Sequence, residues 1–232
     1  MNQRAHPTVR PYALALGVMP SRGVKDQLSF MGPAAAQDLA TALLLDTLGA
    51  LSTFPVRHRV VFTDGEDAVT REAKLPATWR ELAQRGPSGA ERVLSAFEDL
   101  LGLGAEAILL VTADGPMMPL GPLFDGIMWL LPKKRLIVGG SEQGGLYALG
   151  CAEPIPFLRQ LGGGLGLGSP ASEAGAPNIE NAISDMGKAQ GLDVTLLPKS
   201  YRVGESAGLE RLKKEVAGGM FAPHCRKLFE RP

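Results

Sequence analysis

Short apolar runs alternate with longer helical patterns through the first 140 residues of the chain. The runs at 12–19, 58–63 and 107–112 have the length and composition of strands that are buried on both faces. Strands that alternate with helices are typical of a mostly parallel sheet covered by helices on both sides. We therefore predict that these three strands are parallel neighbours in an α/β fold, with a ligand site beyond their carboxyl ends.

Two of the predicted helices carry recognisable start signals. Pro33 lies in the first turn of a segment whose leucines are spaced along one helical face up to Leu51. Ser88 followed by Glu91 has capping-box spacing and predicts a helix over 89–101. The remaining predictions are helices at 79–85, 119–131 and 178–190, strands at 135–138, 146–149 and 192–197, and a last helix at 205–216 before the tail.

Composition and charge narrow the class of protein. The chain has 232 residues with 24 Lys plus Arg and 24 Asp plus Glu, so its formal net charge is zero and nothing indicates a nucleic-acid partner. No uninterrupted apolar run reaches the roughly 18 residues that a membrane span requires. Two cysteines cannot build a disulfide framework, and we expect a protein of the reducing cytoplasm. Nothing in the sequence specifies an oligomeric state.

The chain is predicted to be organised as one domain. Residues 1–11 are interpreted as an N-terminal extension and 12–232 as the domain itself. Glycine, serine and proline dominate 161–177, which predicts a mobile loop within that domain.

Asp114 is the first candidate for chemistry, because it follows a predicted strand directly, in the stretch Thr-Ala-Asp-Gly-Pro. A carboxylate at that end of a sheet can hold a metal ion or a ligand. The alternative is a helix cap or a turn residue with no chemistry. The sequence around Asp114 alone does not decide between them.

Three further segments are predicted at the same edge. Gly23 and Lys25 follow the first strand, where backbone N–H groups and a lysine can meet phosphate, although a turn with a solvated lysine has the same pattern. Gly144 and Gly145 allow a close approach of backbone to ligand, or form a hairpin turn. The segment 201–212 is either part of the site or the start of a capped surface helix.

The order of these motifs resembles the DUF2064 family of bacterial glycosyltransferase-A-like proteins, some of which are named arsenosugar biosynthesis glycosyltransferases. The resemblance extends from about Tyr12 to Phe229. The segments that carry it are VMPSRGVKDQL, LLLDTLGAL, QRGPSGAERVLSAF, VTADGPMM, EQGGLYALG, YRVGESAGLERL and APHCRKLF.

The resemblance implies a three-layer glycosyltransferase-A-like α/β fold of the nucleotide-diphospho-sugar transferase superfamily, with a mostly parallel central sheet. It implies a nucleotide or nucleotide-sugar as ligand and a small-molecule acceptor on the side of Gly144 and Gly145. A divalent cation, Mg²⁺ or Mn²⁺, would be held at Asp114. The residues implied for nucleotide binding are Pro20, Gly23, Lys25, Gln84, Arg92 and Asp114.

Several polar residues of the family pattern are replaced in this chain. Ser88 stands in place of an aspartate, and Gln143 in place of the aspartate before the double glycine. Arg202 and Gly204 occupy the two positions of the family's D-V-D, which is expected to hold the cation together with Asp114. We therefore hypothesise that Arg202, with Lys25, replaces the cation at the diphosphate and that Asp114 orients Arg202. The alternative is a solvated arginine at a helix start.

Three functions remain open at this point. The first is transfer of a sugar from a nucleotide-diphospho-sugar to a small acceptor. The second is a catalytically degenerate protein of the same fold that serves as a binding protein or scaffold. The third is nucleotidyl transfer onto a phosphorylated metabolite, against which the loss of charged motif residues argues. The identity of any catalytic residue is left open.

Overall fold

A seven-stranded sheet carries every strand that the sequence predicts and one that it does not. The computed structural model describes residues 13–20, 28–63, 73–115, 118–130, 134–161, 165, 167 and 178–230. The strands are β1 (Leu14–Met19), β2 (His58–Thr63), β3 (Arg80–Ala83), β4 (Ala107–Thr112), β5 (Arg135–Ser141), β6 (Leu146–Cys151) and β7 (Asp193–Ser200). The α-helices are α1 (Pro33–Leu51), α2 (Gly89–Gly102), α3 (Leu120–Trp129), α4 (Ile179–Ala189), α5 (Ser206–Ala217) and α6 (Pro223–Phe229).

The strand order is β3-β2-β1-β4-β6-β5-β7, and only β6 runs against the others. The central strand β1 pairs in parallel with β2 on one side and with β4 on the other, which confirms the prediction for these three strands. The carboxyl ends of the six parallel strands therefore meet at one edge of the sheet, called here the carboxyl edge. Asp114 lies there, whereas Lys25 is outside the described residues.

The sheet is covered on both faces, which makes three layers. Helices α1, α3, α5 and α6 pack on one face through a cluster that includes Leu16 and Val111. Helices α2 and α4 pack on the other face, in a cluster with Ala15 and Leu110. Neighbouring residues of the same strand thus belong to opposite cores, which explains why the strands appear as continuous apolar runs. Among the helices of the described ranges, none is both long enough and apolar enough to cross a membrane.

The predicted capping box of α2 is confirmed. The Oγ atom of Ser88 accepts the N–H of Glu91 at 3.2 Å, and the carboxylate of Glu91 accepts the N–H of Ser88 at 3.2 Å. Ser88 therefore fulfils a helix-cap role at the position where the family pattern has an aspartate.

Two sequence predictions of local structure are wrong. Residues 79–85 were predicted to be helical but contain the edge strand β3, because pairing with β2 outweighs the weak local helix preference of these residues. The tail after 216 contains the helix α6. Its first turn is stabilised by a side chain of α1, which no local pattern can show.

Candidate functional site at the carboxyl edge

Asp114 and Arg202 form a buried ion pair at the carboxyl edge. Asp114 lies two residues beyond β4 and is 3% exposed, while Arg202 lies two residues beyond β7 and is 2% exposed. The Nε atom of Arg202 donates to Oδ2 of Asp114 at 2.7 Å, and its Nη2 donates to the same oxygen. The contact between Asp114 and Arg202 is one part of the sequence hypothesis, whereas a role of Arg202 at a diphosphate stays a prediction. Arg202 is buried, so it is not the solvated arginine of the alternative interpretation.

The backbone holds the two segments together around this pair. The N–H of Val203 donates to the carbonyl of Asp114 at 2.9 Å. A Cβ atom at Gly115 would lie 3.3 Å from the carbonyl oxygen of Tyr201, and one at Gly208 would lie 2.7 Å from that of Arg202. Small residues therefore permit the close approach of the β4 exit, the β7 exit and the first turn of α5. The backbone segments that carry Asp114 and Arg202 are therefore in direct contact with each other.

Gln143 connects the ion pair to the turn between β5 and β6. Its Oε1 accepts the backbone N–H of Arg202 at 3.0 Å and the hydroxyl of Ser141 at 3.0 Å. Gly144 and Gly145 have φ angles of 90° and 75° and close this turn, so they adopt the hairpin geometry that was one of their two interpretations. Whether they also approach an acceptor remains a prediction.

The electrostatics of this cluster do not fit a divalent cation. Mg²⁺ is usually held by one or two carboxylates together with phosphate oxygens and waters. Here the carboxylate of Asp114 is already neutralised by a guanidinium, and Gln143 contributes a neutral amide. Across the described parts of the chain, no three His, Cys, Asp or Glu side chains come together in a way that could hold a metal ion. The positive charge at Asp114 is therefore supplied by the guanidinium of Arg202.

The residues implied for nucleotide binding are partly described. Gln84 donates through Nε2 to the carbonyls of Pro20, at 3.2 Å, and Phe62, at 3.0 Å, and so ties the exits of β1 and β2 to that of β3. Arg92 is buried on α2, where its Nη1 donates to the carbonyl of Pro87 at 3.3 Å. The structure thus brings Pro20 and Gln84 together at the carboxyl edge.

Gly23 and Lys25 lie outside the described residues. A nucleotide-binding role for all five residues, Pro20, Gly23, Lys25, Gln84 and Arg92, stays a prediction.

Sequence reasoning missed an acidic residue that lies beside the hairpin of β5 and β6. Glu180, in the first turn of α4, forms a salt bridge with Lys199 at 2.6 Å between Nζ and Oε1. Its carboxylate lies directly against Gly140, where a Cβ atom would be only 1.3 Å from Oε2. Only a glycine leaves room for this carboxylate, and nothing in the sequence pattern signalled the contact.

Asp46 was noted in the sequence only as a match to a family motif, and its role is structural. Its two carboxylate oxygens accept the N–H groups of His224 and Cys225, both at 2.9 Å, in the first turn of α6. The neighbouring Thr47 donates its hydroxyl to the carbonyl of Ala113 at 3.4 Å. Two motif segments at opposite ends of the chain are therefore in direct contact.

Comparisons with known proteins agree with this fold. The sequence model of the DUF2064 family, described as an uncharacterised protein conserved in bacteria, matches residues 47–161. No curated protein matches the chain in sequence.

Solved structures share the fold at low sequence identity. A protein of Desulfovibrio desulfuricans G20, proposed to be a nucleotide-diphospho-sugar transferase, has a TM-score of 0.74 at 17% identity, covering 92% of this chain and 94% of its own. The 4-diphosphocytidyl-2C-methyl-D-erythritol synthase of Anaerococcus prevotii DSM 20548 has a TM-score of 0.60 at 6% identity, covering 92% and 100%. Rv0371c of Mycobacterium tuberculosis H37Rv, in complex with manganese, has a TM-score of 0.52 at 11% identity, covering 87% and 98%.

These identities are too low to transfer a substrate or a metal, and they show the fold alone. The family match covers β4, the hairpin of β5 and β6, and the carboxyl edge around Asp114. Residues 47–161 of the chain thus match the DUF2064 family model, and the chain has the glycosyltransferase-A-like fold of nucleotide-diphospho-sugar transferases.

Proposed function

We propose that the protein binds a nucleotide-diphospho-sugar at the carboxyl edge without a divalent cation and transfers the sugar to a small acceptor. The observation that carries this proposal is the buried ion pair of Asp114 with Arg202. In this position the guanidinium does what a bound cation would do for the protein. It neutralises Asp114 and holds the exit of β7 against the exit of β4.

The diphosphate then requires a positive charge from another group. Because Arg202 is 2% exposed, we assign it to holding Asp114 and not to direct contact with phosphate. Lys25 and the backbone N–H groups near Gly23 are the groups that we propose for the phosphates. In the transfer, an acceptor hydroxyl oxygen attacks the anomeric carbon and loses its proton to water, while the bond from that carbon to the diphosphate oxygen breaks. These groups would stabilise the leaving diphosphate.

The acceptor is proposed to bind beside the hairpin of β5 and β6, next to Gly144, Gly145 and Glu180. Gly144 and Gly145 close that turn, and the carboxylate of Glu180 lies beside it over Gly140. A carboxylate next to backbone groups can accept hydrogen bonds from the hydroxyls of a small polar acceptor. This arrangement supports an acceptor with several hydroxyl groups.

A second candidate is a binding protein without catalysis, and the same ion pair favours it. Neutralising Asp114 removes the acidic group that a metal-dependent transferase needs, while the fold and its edge are kept. Nucleotidyl transfer is the least supported function, because a triphosphate carries more charge and Arg202 is committed to Asp114.

The experiment is a calorimetric titration of the purified protein with the diphosphates of uridine, guanosine, cytidine, adenosine and thymidine and with their sugar conjugates, with and without EDTA. We expect at least one to bind with an affinity that EDTA does not change. Lys25→Gln should weaken binding by about tenfold, which is about 1.4 kcal/mol. Lys214→Gln, a matched change on the exposed side of α5, should leave binding unchanged.

The outcomes separate the candidates. Release of free nucleoside diphosphate from the bound conjugate supports transfer, and binding without release supports the binding protein. A protein that binds no nucleotide, or that loses binding in EDTA, contradicts the proposal.

A further inference from the structure

A cavity of about 400 Å³ opens at the amino edge of the sheet, opposite the edge that carries Asp114. It lies where β5 begins at Arg135, where the antiparallel β6 ends at Cys151, and where the chain at Leu192 leads into β7. Its volume falls within the range of roughly 300–1,000 Å³ that is typical of small-molecule sites. The site proposed above does not use any of the residues that line this cavity.

Two consecutive cations line the cavity, Lys134 and Arg135. The guanidinium of Arg135 is held in place, because its Nη1 donates to the carbonyl of Trp129 at 2.7 Å and its Cζ lies 4.3 Å from the centre of the Trp129 ring. Asp193 is 4.0 Å from Nε and is largely exposed, so it screens this charge only weakly. One cation is therefore fixed at the cavity before any ligand arrives.

Lys134 adds a second, adjacent charge in an uncommon conformation. Its φ angle is 68°, in the left-handed region that non-glycine residues rarely adopt. The carbonyl of Lys134 accepts the N–H of Asp193 at 2.8 Å, which holds the strained residue in place. Within the described ranges, its ammonium group forms no salt bridge. Strained residues of this kind are concentrated at functional sites.

The other lining residues favour a ligand with an apolar part. Ile155, which lies between two prolines, and Phe157 are both buried and line the cavity. Among the described lining residues Glu153 is the one carboxylate, so their side chains together carry a net positive charge. Burial raises the pKa of the Cys151 thiol to about 12, so the thiol stays protonated and does not act as a nucleophile. The cavity is suited to binding and not to covalent chemistry.

We propose that this cavity binds a small organic anion, with its carboxylate or phosphate at Lys134 and Arg135 and its apolar part against Ile155 and Phe157. The proposal does not depend on the function assigned to the carboxyl edge. Because the two sites lie at opposite edges, the anion is a second ligand of the protein and not a part of the nucleotide-sugar.

The test is calorimetric titration with three probes that share one apolar body: benzoate, phenyl phosphate and benzylamine. We expect the two anions to bind and the cationic benzylamine not to bind. The relative affinity of benzoate and phenyl phosphate decides whether the site prefers a carboxylate or a phosphate. Lys134→Gln should weaken anion binding at least tenfold and Lys134→Arg should restore it. Lys214→Gln should have no effect.

The controls separate this cavity from the nucleotide site. Lys134→Gln should leave nucleotide binding unchanged, whereas Lys25→Gln should leave benzoate binding unchanged. Binding of benzylamine as tight as that of benzoate, failure of both anions to bind, or anion binding that ignores Lys134→Gln would each overturn the proposal.

Discussion

Asp46 and Asp114 are both buried aspartates in segments that resemble family motifs, yet the protein satisfies their charges in different ways. Asp46 accepts two backbone N–H groups at the start of α6, at the junction of α1 and α6. Asp114 accepts two N–H groups of one guanidinium at the carboxyl edge. The first carboxylate is stabilised by N–H groups at a helix terminus, whereas the second is paired with a full positive charge.

This difference teaches that the identity of a motif residue does not define its role. At the junction of α1 and α6, Asp46 caps a helix, and this role involves no ligand. At the carboxyl edge, the aspartate lies where ligands bind in sheets of this kind, and its charge has been cancelled by Arg202. A buried ion pair that loses one partner leaves an uncompensated charge, whereas a lost cap leaves uncharged N–H groups without a partner.

The largest effect is expected for Arg202→Met. The change leaves the carboxylate of Asp114 buried without its cation, and we expect the free energy of unfolding to fall by about 3–5 kcal/mol in a urea titration. The double variant Asp114→Leu with Arg202→Met replaces the pair by apolar side chains and should recover most of the loss. If Arg202→Met costs less than about 1 kcal/mol, the pair behaves like a solvated surface pair and the contrast with Asp46 fails.

A smaller and local effect is expected for Asp46→Ala. Loss of the two hydrogen bonds to α6 should cost about 2 kcal/mol, the upper end for a helix cap. Amide hydrogen exchange of His224 and Cys225 should accelerate, while that of residues beside Asp114 should not. The exposed Asp125 gives a matched control, because Asp125→Ala should change stability by less than about 0.5 kcal/mol. Unchanged exchange at His224 and Cys225 would contradict the capping role.

The thiol of Cys225 sharpens the comparison through its pH dependence. Burial, followed by the charge and hydrogen bond of Asp46, raises the pKa of this thiol above its ordinary value. In the unfolded chain a thiol ionises near about pH 8.5, so the native protein retains a proton that the unfolded chain loses. The stability contributed by this group is therefore complete below that pH and decreases as the pH rises further, by about 1.4 kcal/mol per unit.

Urea titrations between pH 8 and 10.5 measure this effect. Cys225→Ala should make the alkaline loss of stability less steep, because one proton difference between native and unfolded chain is removed. Cys151→Ala provides the comparison at a thiol whose pKa burial raises without help from Asp46. Equal alkaline slopes in the parent and in Cys225→Ala would show that the thiol is not buried beside Asp46.

Most of the fold could be predicted from the sequence because its strands are continuous apolar runs. The bounds of β2, β4 and α1 were predicted to the residue, since each has a clear period or a clear terminus. β3 was missed because its four residues form a strand only through pairing with β2. α6 was missed because the side chain that supports its first turn lies 178 residues away, at Asp46.

The candidate site was predictable where it depended on strand ends and not where it depended on tertiary contacts. Asp114 was placed at the carboxyl edge because it follows an apolar run, and its contact with Arg202 followed from the resemblance and from charge. The burial of Arg202, the hydrogen bond from its N–H to Gln143 and the contact of Glu180 with Gly140 were not predicted. These contacts depend on the register and bulge of β5, which the sequence pattern does not encode.

The smallest effect is expected at Thr47, which connects the two regions. Its hydroxyl donates to the carbonyl of Ala113, the residue before Asp114, while the preceding residue of α1 is Asp46 itself. At 3.4 Å this hydrogen bond is long, so Thr47→Val should cost no more than about 1 kcal/mol.

If the hydrogen bond from Thr47 is as weak as its length implies, Asp46 and Asp114 are energetically independent. The losses in Asp46→Ala and Arg202→Met should then add to within about 0.5 kcal/mol in the double variant. A larger coupling that disappears in the Thr47→Val background would show that α1 transmits strain between the two regions. The contributions of Asp46 and Asp114 to stability would then depend on each other.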